Sequence, residues 1–184
     1  VSGCGKSSVG AGLAERFGIP YLDGDDLHPT ANVDKMRAGV PLTDADRWPW
    51  LQAVGAVLAS NAGVVACSAL RRSYRDRLRD TAGPAQFLHL VAPRELIAER
   101  LAARRGHFMP LALLDSQLAT LEPLAPAEGW TLNVSGSQEA NLGTALQLLR
   151  AARSNFQIGK AHHGLPWNDT SLVETHMELA FTST

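Results

Sequence analysis

The chain alternates between short apolar runs and longer stretches in which apolar residues return every three or four positions. Runs at 19–22 (Ile-Pro-Tyr-Leu), 64–67 (Val-Val-Ala-Cys), 87–91 (Phe-Leu-His-Leu-Val) and 130–134 (Trp-Thr-Leu-Asn-Val) read as buried strands. Helices are predicted between and around them over 5–17, 32–38, 43–61, 71–80, 94–104, 111–121 and 137–153. Thr43 is a candidate N-cap, and Pro93 suits a helix's first turn. Pro49 must either kink the helix over 43–61 or sit in its first turn. Strands alternating with helices imply an α/β fold with a mainly parallel sheet flanked by helices. Such sheets bind ligands beyond the carboxyl ends of their strands.

From residue 155 the pattern is lost, and the chain carries Gly-Leu-Pro-Trp, Asn-Asp and Thr-Ser-Thr with no amphipathic period. The expectation is therefore one domain over 1–153 and a poorly ordered tail over 154–184.

Composition narrows the partners. The 184 residues carry 17 basic and 18 acidic side chains, a net charge of −1, so bulk charge points to neither nucleic acid nor a membrane surface. No apolar run reaches the roughly 20 residues that span a bilayer. Cys4 and Cys67 are too few for a disulfide framework, and without a signal peptide they suggest a reducing, cytoplasmic setting. Cys67 falls in a core strand and is expected to be inert, and Trp48 and Trp50 are expected to pack rather than bind.

The first chemistry lies at the amino end. Gly5-Lys6-Ser7 is the second half of the P-loop pattern G-x-x-x-x-G-K-S/T, with Val1, Ser2, Gly3 and Cys4 as its variable positions. The first glycine of that pattern, and the strand that feeds it, would precede Val1, so the chain reads as truncated before its first strand. Gly3 and Gly5 let backbone N–H groups turn inward onto phosphate, and the following helix aims its positive end at the same anion. Ser2, Gly3, Cys4, Gly5, Lys6, Ser7 and Ser8 are the candidate nucleotide-binding residues. Lys6 would reach the β- and γ-phosphates of ATP, and the Ser7 hydroxyl would ligate Mg²⁺. An ordinary glycine turn is the alternative, and the strand–helix context with an acidic strand end about 20 residues on favours the P-loop.

That acidic end is Asp23, Asp25 and Asp26, followed by His28-Pro29. Carboxylates this close repel unless a cation or a hydroxyl donor sits among them. One of them, Asp25 by preference, would take the proton of an attacking hydroxyl, and another would hold Mg²⁺ through water. Asp23, Asp25 and His28 are thus candidate substrate contacts.

Two basic segments follow. Ser68 with Arg71, Arg72 and Arg75 comes directly after the second strand, where guanidinium forks could hold a carboxylate. Arg77 and Arg79 fit a solvated helix face. Arg100, Arg104, Arg105, Gly106, His107 and Phe108 join two helices, the composition of a lid that closes over phosphates.

In this order the pieces resemble the gluconokinase family (the thermoresistant type) of P-loop kinases. The matching segments are SGCGKSS (2–8), LDGDDLHP (22–29), NVDKMRAGVPLTDADRWPWL (32–51), ACSALRRSYRDRLR (66–79) and RRGHF (104–108), with LDSQLATLEPL (114–124) a looser match. The second and third segments separate the chain from the shikimate and adenylylsulfate kinases, which share the fold and the P-loop.

The resemblance implies a nucleoside-kinase-like fold, with ATP and Mg²⁺ as cofactors. It implies transfer to the 6-hydroxyl of D-gluconate, and a homodimer as a common assembly. It also implies that Asp25 is the base and that Arg104 and Arg105 belong to a catalytic lid, and His107 beside them is a further candidate substrate contact. The competing readings are a P-loop kinase of another small hydroxy acid, such as shikimate, and an inactive truncated remnant.

Overall fold

Residues 3–60, 63–103, 111–161 and 178–183 are described by the structure, a computed structural model. In chain order it contains α1 (Lys6–Phe17), β1 (Tyr21–Asp23), a 3₁₀ turn (Gly24–Leu27), α2 (Thr30–Arg37), α3 (Asp44–Ser60) and β2 (Val64–Ala66). There follow α4 (Arg72–Ala82), β3 (Ala85–Val91), α5 (Arg94–Ala102), α6 (Leu111–Thr120), β4 (Gly129–Asn133), α7 (Gln138–Ala161) and β5 (Glu178–Ser183). The strands form one sheet in the order β1-β2-β5-β3-β4, and every pairing is parallel.

The two-residue period of the strands divides the core between the sheet's faces. Val64 of β2 and Leu88 and Leu90 of β3 join Val9 and Leu13 of α1 and Leu146 and Leu149 of α7. Their neighbours Val65 and Phe87 point the other way, to Trp50, Val54 and Leu58 of α3 and Tyr74 and Leu78 of α4. A smaller cluster of Leu70, Ile97, Leu101 and Leu114 ties α5 and α6 to the loop after β2.

Thr43 caps α3 as its type predicts. Its hydroxyl donates to Asp46 at 2.7 Å, and the Asp46 N–H returns to that hydroxyl at 3.3 Å. Pro49 lies in the second turn of α3 rather than the first, where it has no N–H to give to the helical ladder.

Of the segment 154–184, the structure describes the end of α7 and β5. The sequence places no strand there. Yet β5 runs in the centre of the sheet, with Ala180 beside both Val65 of β2 and Phe87 of β3. Its six residues are flanked by no turn signature of the kind that frames the other strands.

Candidate active site

At the carboxyl edge of the sheet the register sets Asp23 beside Ala66, so the acidic turn after β1 and Ser68 after β2 emerge together. Gly24 makes this closeness possible. A Cβ there would sit 2.9 Å from Cys67 Cβ and 3.0 Å from the Ala66 carbonyl oxygen.

The loop before α1 has the backbone of an anion cradle. Gly3 and Gly5 have φ of 86° and 91°, a left-handed region open to glycine. At Gly3 the space is closed as well, since a Cβ would meet Leu101 Cγ at 2.7 Å. Gly5 caps α1 without a side chain, and no acidic residue stands in the first turn. The first-turn amides therefore face outward with the positive end of the helix.

These residues line a cleft of about 660 Å³, within the range of small-ligand sites. Gly3, Cys4, Gly5, Lys6, Ser7 and Ser8 form one wall, and Asp23, Asp25 and Asp26 a second. The third wall includes Arg100 of α5 and residues 136–138, which lead into α7. Asn141 and Arg100 hold that third wall in place. The Asn141 amide donates to the Val134 and Gly136 carbonyls at 3.2 and 3.1 Å, and Arg100 donates to Val134 O at 2.9 Å. The sequence reading did not single out Asn141, a buried asparagine one turn into a helix.

Asp23 and Asp25 take different positions. Asp23 Oδ2 accepts from Ser7 Oγ at 2.8 Å and from the Tyr21 hydroxyl at 3.3 Å, and its Oδ1 accepts from the Asp25 N–H at 3.2 Å. Burial, reinforced by the charge of Asp23, pushes the Tyr21 phenol up to about 12, so Tyr21 remains a donor. The Asp25 carboxylate has no hydrogen-bond partner among the described residues. Because the Ser7 hydrogen is committed to Asp23, the Ser7 oxygen keeps its lone pairs for a cation. A hydroxyl beside a carboxylate is the sparse, hard-oxygen donor set that suits Mg²⁺, which keeps most of its waters. The described residues hold no cluster of three or more His, Cys, Asp or Glu side chains able to grip a metal alone.

A second pocket adjoins the cleft. It is lined by Asp25, His28, Arg47 and Ser68 on one side, and by Ser116, Gln117 and Thr120 of α6 on the other. Asp25 is the one described residue that lines both spaces. The pocket measures about 60 Å³, smaller than a cavity that holds benzene, so a larger ligand enters only if its walls draw apart.

His28 stacks on Trp50, ring centroids 4.3 Å apart and planes within 13°. The Trp50 N–H donates to the Gly24 carbonyl at 2.7 Å, which anchors the acidic turn to α3. The Asn32 amide lies 3.3 Å from His28 Nδ1 and also donates to the Asp46 carbonyl at 2.8 Å. An amide N–H can only donate, so Nδ1 accepts and Nε2 carries the proton of the neutral ring. Burial lowers the His28 pKa, with Arg47 adding to the effect and Asp25 opposing it.

The arginines after β2 are a correction to the sequence reading. Arg75 is fully buried, with Nε donating to Glu128 Oε1 at 2.8 Å and its terminal nitrogens reaching Glu128 Oε2 and the Glu122 and Pro123 carbonyls at 3.2 Å. All its donors are spent on the protein. The Arg72 side chain is exposed and lies 3.7 Å from Asp76. Neither residue lines the pocket. Arg71 is held by Asp44 at 2.9 Å. Arg79, expected on a solvated face, instead donates to the Ala85 and Glu128 carbonyls and lies over the Phe87 ring at 4.7 Å. Cys67 is fully buried, and burial pushes its thiol up to about 12. Ser2, Arg104, Arg105, Gly106, His107 and Phe108 lie outside the described residues.

Comparison with known proteins gives a consistent set of likenesses. The AAA domain family matches residues 1–124. A gluconokinase of Gluconobacter oxydans is 48% identical over 147 residues, spanning 77% of this chain and 82% of the relative. The thermosensitive gluconokinase of Escherichia coli is 44% identical over 127 residues, 66% of this chain and 68% of its own length. Among solved structures, a gluconokinase from Sinorhizobium meliloti superposes with a TM-score of 0.80 at 45% identity, covering 86% of this chain and 93% of that one.

Proposed function

The chain belongs to the gluconokinase family of P-loop kinases, and from that membership we infer that it transfers the γ-phosphoryl group of ATP to the 6-hydroxyl of D-gluconate, giving 6-phospho-D-gluconate. The observation that carries this reading is the position of Asp25, at the junction between a phosphate cradle and a polar pocket. A base that accepts a hydroxyl proton while facing the γ-phosphate must stand at such a junction.

The chemistry follows from that placement. The amides of Gly3 to Ser8 and the Lys6 ammonium hold the β- and γ-phosphates. The 6-hydroxyl oxygen attacks the γ-phosphorus while the bond from that phosphorus to the β–γ bridging oxygen breaks, and ADP leaves. Asp25 takes the hydroxyl proton as the new phosphate ester forms. Ser7 would hold Mg²⁺, with Asp23 supporting it through water, and the ion would supply charge neutralisation on the phosphate oxygens. His28, fixed by Trp50 and Asn32, would donate from Nε2 to a substrate hydroxyl. The two free, buried cysteines support a reducing compartment, the cytoplasm.

The test is a coupled assay in which the ADP released from ATP with gluconate, glucose or shikimate feeds pyruvate kinase and lactate dehydrogenase and NADH consumption is followed. Turnover with gluconate on the kinase scale of about 1–100 s⁻¹, and at least a hundredfold less with glucose or shikimate, is expected. Faster turnover of shikimate than of gluconate would overturn the assignment.

A further inference from the structure

Resting on that reading, we propose that Arg47 is the residue that reads the substrate carboxylate, and so selects an aldonic acid over a neutral polyol of the same length. Arg47 lies in the first half of α3, is only 8% exposed, and lines the same pocket as Asp25, His28 and Ser68. Its guanidinium makes no hydrogen bond or ion pair among the described residues. Its Cζ lies over the Tyr74 ring, 5.6 Å from the centroid.

A buried charge without an anionic partner is costly. The acids nearest in sequence do not supply one. Asp46 is taken by Lys35 at 2.6 Å and by the Thr43 hydroxyl at 2.7 Å. Asp44 is taken by Arg71 at 2.9 Å and by the Tyr74 hydroxyl at 2.5 Å. Burial lowers the Arg47 pKa, with Asp44 and Asp46 only partly offsetting the effect, yet a guanidinium keeps its charge at neutral pH. Five N–H donors in a planar fork thus stand in a polar pocket with no acceptor among the described residues committed to them.

The complement is a planar anion supplied by the ligand. A six-carbon aldonic acid has a carboxylate at one end and a primary hydroxyl at the other. With that hydroxyl at Asp25, the carboxylate falls to another wall of the pocket, and Arg47 is the cation lining it. Ser116 and Thr120 of α6 also line this pocket, where the intervening hydroxyl groups would lie.

The experiment measures binding of D-gluconate and of D-glucitol by calorimetry without ATP, and steady-state kinetics on both, for the full chain and for Arg47→Met and Arg47→Lys. Glucitol keeps the chain and exchanges the carboxylate for a neutral alcohol. Loss of a bidentate, charge-assisted pair predicts gluconate affinity weaker by roughly ten- to a hundredfold in Arg47→Met. Glucitol affinity and the KM for ATP should stay within about threefold, and Arg47→Lys should fall between. If Arg47→Met folds poorly, the Arg47→Lys pair of ligands still decides. Equal weakening of gluconate and glucitol marks a structural role and overturns the proposal, as does an Arg47→Met enzyme with unchanged gluconate affinity. A wild-type protein that binds gluconate through Arg47 but transfers no phosphoryl group would refute the enzymatic reading and leave this one standing.

Discussion

Replacing Arg75 by methionine should cost stability and leave substrate recognition alone. Arg75 and Glu128 are 0% and 4% exposed, and they join α4 to the loop that leads into β4, across 53 residues of sequence. Burial alone would push the Glu128 carboxyl up, but the Arg75 fork, the Ala125 N–H and Arg79 hold it below the usual range. Methionine fills much of the arginine's volume but donates nothing. It therefore leaves Glu128 with Arg79, 3.6 Å away, and one backbone amide, and it strands the Glu122 and Pro123 carbonyls. Removing one partner of a buried pair typically costs about 3–5 kcal/mol. At roughly 2–4 °C per kcal/mol for a chain of this size, Tm should fall by about 6–20 °C. Thermal unfolding followed by circular dichroism gives that shift, and kinetics at a temperature where the variant is folded gives KM for gluconate. Glu128→Gln in the Arg75→Met background removes the orphaned charge and should recover part of the loss. A Tm within about 2 °C of wild type, or a tenfold rise in KM for gluconate with Tm unchanged, would refute the reasoning and return Arg75 to the substrate site.

Three further outcomes follow from the site and the core. Asp25→Asn should lower kcat by about 10²–10⁴ with KM for ATP little changed, whereas Asp23→Asn should chiefly raise the Mg²⁺ concentration needed for half-maximal rate; the reverse pattern would exchange the two roles. Lys6→Ala should lower kcat by on the order of a hundredfold or more without shifting Tm by more than a few degrees, and near-normal turnover would remove the lysine from the phosphate site. Burial foremost lowers His89 to about 4, so between about pH 6.5 and that value the unfolded chain binds a proton that the folded protein refuses. Stability is then full above about pH 6.5 and falls by at most about 3 kcal/mol as the pH drops to about 4, and His89→Asn should flatten that part of the Tm–pH curve.

The P-loop was legible because its chemistry is local: Gly3, Gly5, Lys6 and Ser7 are neighbours in the chain, and the backbone they require is written in the glycines. Asp23 and Asp25 were legible as a group because they end an apolar run. Only the fold could divide their positions, since Ser7 lies 16 residues from Asp23. Arg75 was misread, and Arg47 passed over, for a related reason. Arg47 and Arg75 both lie on the buried stripes of their helices, at spacings that include Trp50, Leu51 and Val54 in one case and Leu78 in the other. That spacing could have marked both as buried. It could not say that Glu128 waits for Arg75 and that no acid among the described residues pairs with Arg47, because partners are set by how helices and loops meet. Six residues inside a patternless segment gave no sign of β5, whose sheet partners lie far away in the chain.

The clasp between Trp50 and the acidic turn has an optical consequence. An indole held by its N–H to a carbonyl and by its face to an imidazole has one fixed surrounding, and its emission reports that surrounding. A neutral imidazole quenches a stacked indole weakly, and an imidazolium strongly, because the cation accepts an electron from the excited ring. Drawing the pocket walls apart to admit a six-carbon acid, or protonating His28, would therefore change the light from Trp50 without any label. Subtracting the spectrum of a Trp50→Phe variant isolates that signal from the other indoles, so the protein carries its own gauge of the state of the pocket that His28 lines.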